Sequence, residues 1–402
     1  MFVTRVHPHR FCVFAVLAGS AILHAAPEPL PRDEPTVASL LALGPDRFRA
    51  YDTDHFTIVT DAPYETIRPL NARLEGIHSA IMRFCAAMKL PVKPPPIRLP
   101  ILLFDRFDDF TAYASKAGLA PGSAAGFYDQ STNVAAFANV LNSPTLAPVR
   151  GEIESLTTRL QALSRRAADS TAADPPASPL DKGGGRGVRD DLLNHINALR
   201  SQQDAFVERF NRLVLQHEAA HQVFFNVGVH LHGAVNPFWL VEGLACQFEV
   251  PQSDLGGDLK RINQMRLGDL RDALHAAPDV HDESKVDWRG AFHAGPLIPF
   301  ADLVTADPRA SPLGQGGGGA GGDSAAAARY AQVWSLVYFL QRERRDAFSA
   351  YLGRLARRAP GQTFDSQQES GEFHALFGRL DDSFTSDWAR FTLRLRHEPN
   401  GP

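Results

Sequence analysis

Two histidines, His217 and His221, lie four residues apart within a long apolar helical pattern. Apolar residues such as Phe206 and Phe210 precede them, and Phe224 follows. A spacing of four places both imidazoles on the same face of one helix. Two buried imidazoles are costly without partners, and a zinc ion with a third protein ligand would supply them. The feature therefore predicts a metal centre on a buried helix.

The third ligand is expected on the next helix along the chain. Asn236 and Pro237 are typical of a helix start, with a capping side chain followed by proline at the first position. Glu242 then lies in the second turn, and the small residues Gly243 and Ala245 would let this helix approach the first one closely. A catalytic zinc site has three protein ligands and an open position. The predicted ligands are His217, His221 and Glu242.

The pairing of His-Glu-Ala-Ala-His with the downstream sequence Trp-Leu-Val-Glu-Gly-Leu-Ala resembles the gluzincin type of zinc metallopeptidase. It resembles more closely the peptidase MA-like family, which includes bacterial secreted members. There, a strand pair like that containing residues 124–128 precedes the metal helix, and a helix like that beginning at Tyr330 follows it. The resemblance covers roughly residues 48–340. It implies an α+β, zincin-like fold, with an N-terminal mixed sheet and helices followed by a mainly helical part.

The motif also suggests how each residue would act. Zinc lowers the pKa of a bound water molecule to roughly 7 and polarises a carbonyl group. Glu218 is the predicted general base, which takes the water proton and later delivers it to the leaving amine. The oxyanion needs a donor. By the resemblance this donor is Tyr330; the alternative is that its ring only packs in the core, and His293 is the other candidate donor.

These predictions together describe a secreted peptidase that uses one zinc ion per chain and acts on a peptide or protein substrate. The alternative is a non-catalytic zinc-binding or peptide-binding module that retains a metallopeptidase fold. A purely structural metal site needs no base beside its ligand. Glu218 therefore favours the enzyme.

One position departs from the gluzincin pattern. Several gluzincins place an aspartate four residues after the glutamate ligand to orient a zinc-bound histidine, and this chain has Cys246 there. Glu249 lies on the same helix face and is the replacement we consider, with a solvated surface glutamate as the alternative. His230 and His232 are expected in a loop near the site. Cys85 and Cys246 allow a single disulfide in an oxidising compartment.

The N-terminal part alternates strand and helix signals. Strands are predicted at Phe56–Thr60 and over 97–104, and helices over 66–90 and 107–117. A hairpin is predicted from 126–128 and 134–137. By family analogy, this hairpin would lie beside the cleft and pair with an extended peptide.

Composition divides the rest of the chain. Residues 165–187 are rich in Ala, Ser, Asp, Pro and Gly, which predicts a flexible insertion, and 314–322 predicts a Gly-rich loop before a helix over 325–342. The predicted segments are a signal peptide (1–26), a Pro-rich lead (27–47), an N-terminal α/β part with substrate-side strands (48–142), a flexible insertion with flanking helical segments (143–200), a zinc-binding helical part (201–300) and a C-terminal helical part with the Gly-rich loop (301–402).

The N-terminus has the composition of a secretory signal peptide. Arg5 and Arg10 precede an uncharged run over 11–23, and small residues follow at Ala25 and Ala26. The run is too short for a stable membrane anchor, so a secreted, periplasmic or cell-envelope protein is expected, with an uncleaved anchor or a helix of the fold as alternatives. The net charge of -4 argues against a nucleic-acid partner, because phosphate binding needs many basic contacts.

Overall fold

The computed structural model describes residues 28–119, 125–173, 181–256, 261–277, 280–307, 324–362 and 364–396. The predicted signal peptide and the Gly-rich loop over 314–322 lie outside these residues. Within the described ranges, no helix is both long enough and apolar enough to cross a membrane.

A five-stranded mixed sheet forms the N-terminal part. Its strands are β1 Arg49–Asp52, β2 Phe56–Thr60, β3 Leu99–Phe104, β4 Gly126–Asp129 and β5 Val134–Ala138, in the spatial order β1-β2-β3-β5-β4. The central strands β2, β3 and β5 run parallel, and β1 and β4 pair antiparallel at the two edges. Every residue of the three central strands is buried, as expected for parallel strands covered on both faces.

Helices make up most of the rest of the described chain. They are α1 Pro35–Leu41, α2 Tyr64–Ala87, α3 Phe107–Lys116, α4 Ala147–Ala173, α5 Asp181–Phe210, α6 His217–Asn226, α7 Phe238–Cys246, α8 Gln252–Leu255, α9 Gln264–Ala273, α10 Trp288–His293, α11 Phe300–Val304, α12 Ser324–Glu343, α13 Arg345–Leu355, α14 Ser366–Phe377 and α15 Asp382–Arg394. A π-helical turn, Asn211–Gln216, joins α5 to α6. The predicted α+β class is confirmed.

The two faces of the sheet belong to different cores. Successive side chains of a strand point to opposite faces. Ile101 and Leu103 accordingly join the large core that contains α2, α6, α7 and α12. Leu102 and Phe104 join a smaller core with α1 and α3. The predicted metal helix thus packs on the face of the sheet that carries the larger core.

The region expected to be a flexible insertion is partly helical. Helix α4 continues to Ala173 and α5 begins at Asp181, while residues 174–180 lie outside the described part. Helices α4 and α5 pack on each other through a small core that includes Leu156 and Ile196. Residues 165–187 contain few apolar residues, which indicated a flexible segment, but the alanine and arginine residues among them favour helix.

Candidate metal centre

Helix α6 is fixed to the sheet by amide side chains. The Nε2 of Gln222 donates to the carbonyl oxygens of Pro100 (2.9 Å) and Asn133 (3.0 Å), and Nδ2 of Asn226 donates to Oδ1 of Asn133 (2.7 Å). Asn133 sits in the β4–β5 turn with φ 61°, in the left-handed region that asparagine tolerates. These bonds hold α6 against β3 and the hairpin, so the direction of its histidines is set by buried contacts.

The three predicted ligands converge on one point. Nε2 of His217 lies 3.0 Å from Nε2 of His221 and 3.1 Å from Oε2 of Glu242, and Nε2 of His221 lies 3.6 Å from Oε1 of Glu242. In a tetrahedral zinc site with bonds near 2.1 Å, the ligand atoms lie about 3.4 Å apart. Both histidines are buried, at 5% and 6% exposure. The donor set therefore fits zinc in chemistry and in spacing.

Gly243 sets the position of the helix that carries Glu242. A Cβ at this position would lie 2.5 Å from Cγ2 of Val337 and 2.6 Å from the carbonyl oxygen of Val333, so the backbone of α7 touches α12. Helix α7 does approach another helix closely at Gly243, as predicted. That helix is α12, whereas α6 was expected. The absence of a side chain at 243 lets Glu242 reach the histidines.

The predicted cap of α7 is wrong. Pro237 is the capping residue, and no side chain bonds to the first turn of this helix. The Nδ2 of Asn236 donates instead to the carbonyl oxygens of Leu231 (3.0 Å) and Ala234 (3.1 Å). A short amide side chain competes well for nearby backbone groups. Asn236 therefore orders the loop between α6 and α7.

Glu249 is the partner of the outer nitrogen of His217. Its Oε1 lies 2.9 Å from Nδ1 of His217, and it is fully buried, which excludes the solvated-surface alternative. The guanidinium of Arg266 donates hydrogen bonds to both oxygens of Glu249, at 2.7 and 2.8 Å, and Asn263 donates to Oε2 at 3.2 Å. Burial alone would raise the pKa of Glu249, but the charge of Arg266 holds it well below its usual range. A carboxylate here fixes the ring so that Nε2 of His217 faces the ligands.

Arg266 and Asn263 were missed by the sequence argument. They lie 17 and 14 residues after Glu249, and no periodic pattern links these positions. Glu249 and Cys246 also form a group with His217 whose ligand atoms lie within 4.8 Å of one another. Arg266 already occupies both oxygens of Glu249 and makes this group the poorer metal site. Cys85 and Cys246 are buried and unbridged, and burial raises the pKa of Cys246 to about 11.

Glu218 lies between α6 and the edge of the sheet. Its Oε2 accepts a hydrogen bond from the backbone N–H of Tyr128 at 3.0 Å, on the side of β4 that faces away from β5. Burial raises the pKa of Glu218, while the neighbouring histidines oppose this shift. A carboxylate in this position, adjacent to the predicted metal ligands, is placed to accept a proton and to return it.

Tyr330 also reaches the cluster, and His293 does not. The ring of Tyr330 stands edge-on to that of His217, with centroids 5.9 Å apart, and the guanidinium of Arg266 lies 5.1 Å from the Tyr330 ring centre. Burial first, and then the charge of Glu242, raise the pKa of Tyr330. His293 is exposed at the end of α10, and no contact between described residues joins it to the ligands. This placement favours Tyr330 as the donor candidate.

His230 was expected in a loop near the site, and it is completely buried there. Its ring lies 5.5 and 5.1 Å from those of Phe224 and Phe225, and neither ring nitrogen has a described partner. Burial lowers the pKa of His230 to about 3. His232 is exposed and packs on Phe225. A neutral His230 adds no charge beside the ligands.

A cleft of about 580 Å³ opens beside the ligands. His221 and Glu242 form part of its wall, and Tyr128 and Gln130 bring the edge of the sheet to it. The rest of its lining comes mainly from the loop between α6 and α7, from α7 itself and from the segment before α14. The cleft therefore connects the ligands, the free sheet edge and the C-terminal part.

Comparison with known proteins adds one family match. Residues 213–288 and 321–362 match a family described as "Protein of unknown function (DUF1570)". The matched part contains both histidines, Glu242, Glu249, Arg266 and Tyr330. No curated protein and no solved structure matches the chain.

Proposed function

We propose that this chain is a secreted zinc-dependent peptidase of the gluzincin type, with His217, His221 and Glu242 as metal ligands and Glu218 as general base. The observation that carries the proposal is the convergence of three side chains from two helices, whose ligand atoms lie 3.0 to 3.6 Å from those of their neighbours. The base is adjacent in sequence and lies against the sheet edge. The composition of residues 1–26 supports export.

The protein groups have separable tasks in this proposal. Zinc supplies the Lewis acid that polarises a carbonyl group and makes a water molecule acidic. Glu218 accepts a proton from water and passes it to the leaving amine. Glu249 and Arg266 hold His217 in one orientation, and Tyr330 donates to the oxygen on which negative charge develops. Strand β4 is an edge strand, and an extended substrate would pair with its outward backbone groups other than the Tyr128 N–H, which donates to Glu218.

The alternative, a zinc-binding or peptide-binding module without turnover, explains the ligands but not the base. A structural zinc site has four protein ligands and is closed, whereas three protein side chains converge here beside an open cleft. Glu218 lies beside the ligand His217 and accepts from the backbone N–H of Tyr128, and a purely structural zinc site needs no such base. Both observations favour the enzyme.

Metal analysis together with peptide cleavage tests the proposal. Protein purified without chelator should contain about one zinc per chain, and a chelator should remove both the zinc and the cleavage of a mixed peptide library. Added zinc should restore both. Glu242→Ala should lose metal and activity together. Protein that takes up no zinc on titration contradicts the ligand assignment, and zinc-loaded protein that cleaves nothing supports the non-catalytic module.

A further inference from the structure

We propose that Gln216 is a positioning residue for the metal centre, which holds the backbone on both sides of Glu249 and thereby sets the contact between this carboxylate and His217. The inference rests on the proposed function, because it takes His217 as a metal ligand. It assigns a role to a buried side chain that is neither a proposed ligand nor the proposed base.

Gln216 is a fully buried amide with a partner for each of its polar atoms. It is the last residue of the π-helical turn and directly precedes His217. Its Nε2 donates to the carbonyl oxygens of Phe248 at 2.5 Å and of Val250 at 2.9 Å, and its Oε1 accepts a hydrogen bond from Arg73. A buried amide is costly unless it is paired, so these bonds define one position for the side chain.

The two carbonyl groups that Gln216 holds belong to the residues on either side of Glu249. They lie in the connection between α7 and α8, residues 247–251, which contains no helix or strand. A segment without regular hydrogen bonds needs other partners for its buried backbone groups. Gln216 is such a partner at two points, so it determines where the backbone of Glu249 lies.

The contacts between the two chain segments run in both directions. Gln216 holds the backbone beside Glu249, and Oε1 of Glu249 lies 2.9 Å from Nδ1 of His217. Arg266 also holds this carboxylate, but it comes from a third element, α9. Because Gln216 and His217 are neighbours in the chain, Gln216 fixes the distance between the His217 ring and the backbone of Glu249 directly.

Arg73 fixes which way the amide of Gln216 faces. The oxygen and nitrogen of an amide side chain are alike in shape, so half a turn would exchange them. That turn would point Oε1 at two carbonyl oxygens and Nε2 at the guanidinium of Arg73, which are repulsive contacts. Arg73 is itself buried on α2 and is paired with Glu208 of α5 at 2.6 Å. The amide therefore keeps its nitrogen towards the carbonyl groups beside Glu249.

Zinc affinity tests the inference without turnover. Gln216→Met keeps the length of the side chain and removes all of its hydrogen bonds. We expect zinc affinity, measured by competition with a chelator, to fall by about 10-fold, at the lower end of the effect of losing an outer partner of a ligand histidine. The visible absorption of Co²⁺-loaded protein should also change, because it depends on the arrangement of the ligand atoms.

Gln332→Met is the matched control. Gln332 is also fully buried, and its side chain makes two hydrogen bonds to the backbone of Ile298, at 2.5 and 3.0 Å. Both variants should be less stable than the parent in urea, but Gln332→Met should keep the zinc affinity and the Co²⁺ spectrum of the parent. An equal loss of zinc affinity in the two variants overturns the inference. If Gln216→Met does not fold, Gln216→Asn beside Gln332→Asn gives the same comparison, because the shorter amide cannot reach both carbonyl groups.

A Glu249→Gln background shows through which residue Gln216 acts. Two residues that act through one contact have non-additive effects. The carboxylate that Gln216 positions is already replaced in this background, so adding Gln216→Met should lower zinc affinity further by less than about 3-fold. A further loss as large as that in the parent overturns the inference, because Gln216 would then act by another route.

The inference and the proposed function fail in different ways. If the parent binds zinc and cleaves peptides, but Gln216→Met binds zinc as tightly as the parent does, the positioning role is wrong and the peptidase stands. If the parent binds zinc and cleaves nothing, a loss of zinc affinity in Gln216→Met but not in Gln332→Met still supports the positioning role. A parent that takes up no zinc overturns both.

Discussion

Among the described residues, two pairs of histidines have their rings in contact, and the two pairs have very different surroundings. His217 and His221 lie one turn apart on α6, with ring centroids 4.6 Å apart and nearly perpendicular planes. His55 and His78 come from the β1–β2 turn and from α2, with centroids 3.6 Å apart and stacked planes. Both pairs have a glutamate close by.

The difference lies in where the carboxylate points. Glu242 comes from a separate helix and reaches the Nε2 atoms of both α6 histidines. Both oxygens of Glu75 are already hydrogen-bonded. Its Oε2 lies 2.6 Å from Nδ1 of His55, and its Oε1 accepts from the hydroxyl of Thr53 at 2.7 Å. Among the described residues, the stacked pair belongs to no group that could hold a metal ion. Proximity of two histidines is therefore insufficient for a candidate metal site, and the α6 pair differs from the stacked pair by the convergence of Glu242.

The largest effect is expected from replacing a glutamate beside each pair of histidines, the predicted base Glu218 beside the α6 pair and Glu75 beside the stacked pair. Glu218→Gln keeps the side-chain volume and should keep zinc, but the amide cannot accept a proton. Hydrolysis should fall by about 100- to 10,000-fold. The matched change, Glu75→Gln, should leave zinc content and hydrolysis unaltered. Zinc content and the rate of peptide cleavage are measured for both, and equal rates for Glu218→Gln and the parent would show that Glu218 is not the base.

An aromatic ring stands edge-on to one histidine of each pair, and only one of these rings carries a hydroxyl. Tyr330 faces His217, and Phe56 faces His78 at 6.4 Å. Tyr330→Phe makes the two pairs alike in this respect and should lower kcat by about 100-fold, as for loss of one oxyanion donor, with zinc content unchanged. Unchanged kcat would leave Tyr330 with only a packing role.

Glu249, which lies against Nδ1 of His217, should increase zinc affinity. Glu249→Gln keeps a hydrogen-bond acceptor but removes the charge that opposes Arg266. We expect zinc affinity to fall by about 10- to 100-fold, measured by competition with a chelator. Asp269→Asn is the control, because Asp269 contacts the same arginine from outside, at 3.6 Å. An equal loss of affinity in both variants would assign the effect to Arg266 and not to the bond with His217.

The stacked pair, His55 and His78, should lower the free energy of unfolding as the pH falls. Burial lowers the pKa of His78 from 6.5 to about 4, so the unfolded chain binds a proton that the folded chain resists. This contribution to stability is complete above pH 6.5 and is lost as pH falls towards 4. Between pH 7 and 5 it amounts to about 2 kcal/mol. His78→Phe should reduce the pH-dependent loss by that amount in urea unfolding, and an unchanged loss would contradict it.

Local patterns predicted the regular elements well. The β-branched run Phe56–Thr60 is β2, and the helix expected over 325–342 is α12 Ser324–Glu343. The hairpin expected around Asp129 to Asn133 is formed by β4 and β5. Strand β1 was missed, because Arg49–Asp52 has four residues and two of them are charged. A pattern that short lacks a measurable period.

Contacts between residues distant in the sequence could not be predicted from local patterns. The four-residue spacing predicted that His217 and His221 share one face of α6, because spacing on a helix is a local property. The partner of Glu249 was not predictable, since any buried arginine could balance its charge. Asn236 had two possible uses, capping α7 or ordering the preceding loop, and only the folded chain shows which one applies.

Glu242 and Gly243 illustrate how a functional residue can depend on a neighbour with no chemistry of its own. Glu242 contributes its oxygen atoms, and Gly243, which has no side chain, lets α7 lie against Val333 and Val337. Even one added methyl group would push the two helices apart and draw the carboxylate away from the imidazoles. Searches for distant relatives should therefore score Glu-Gly as a single unit, because Gly243 sets the distance between α7 and α12 and the position of Glu242 depends on that distance.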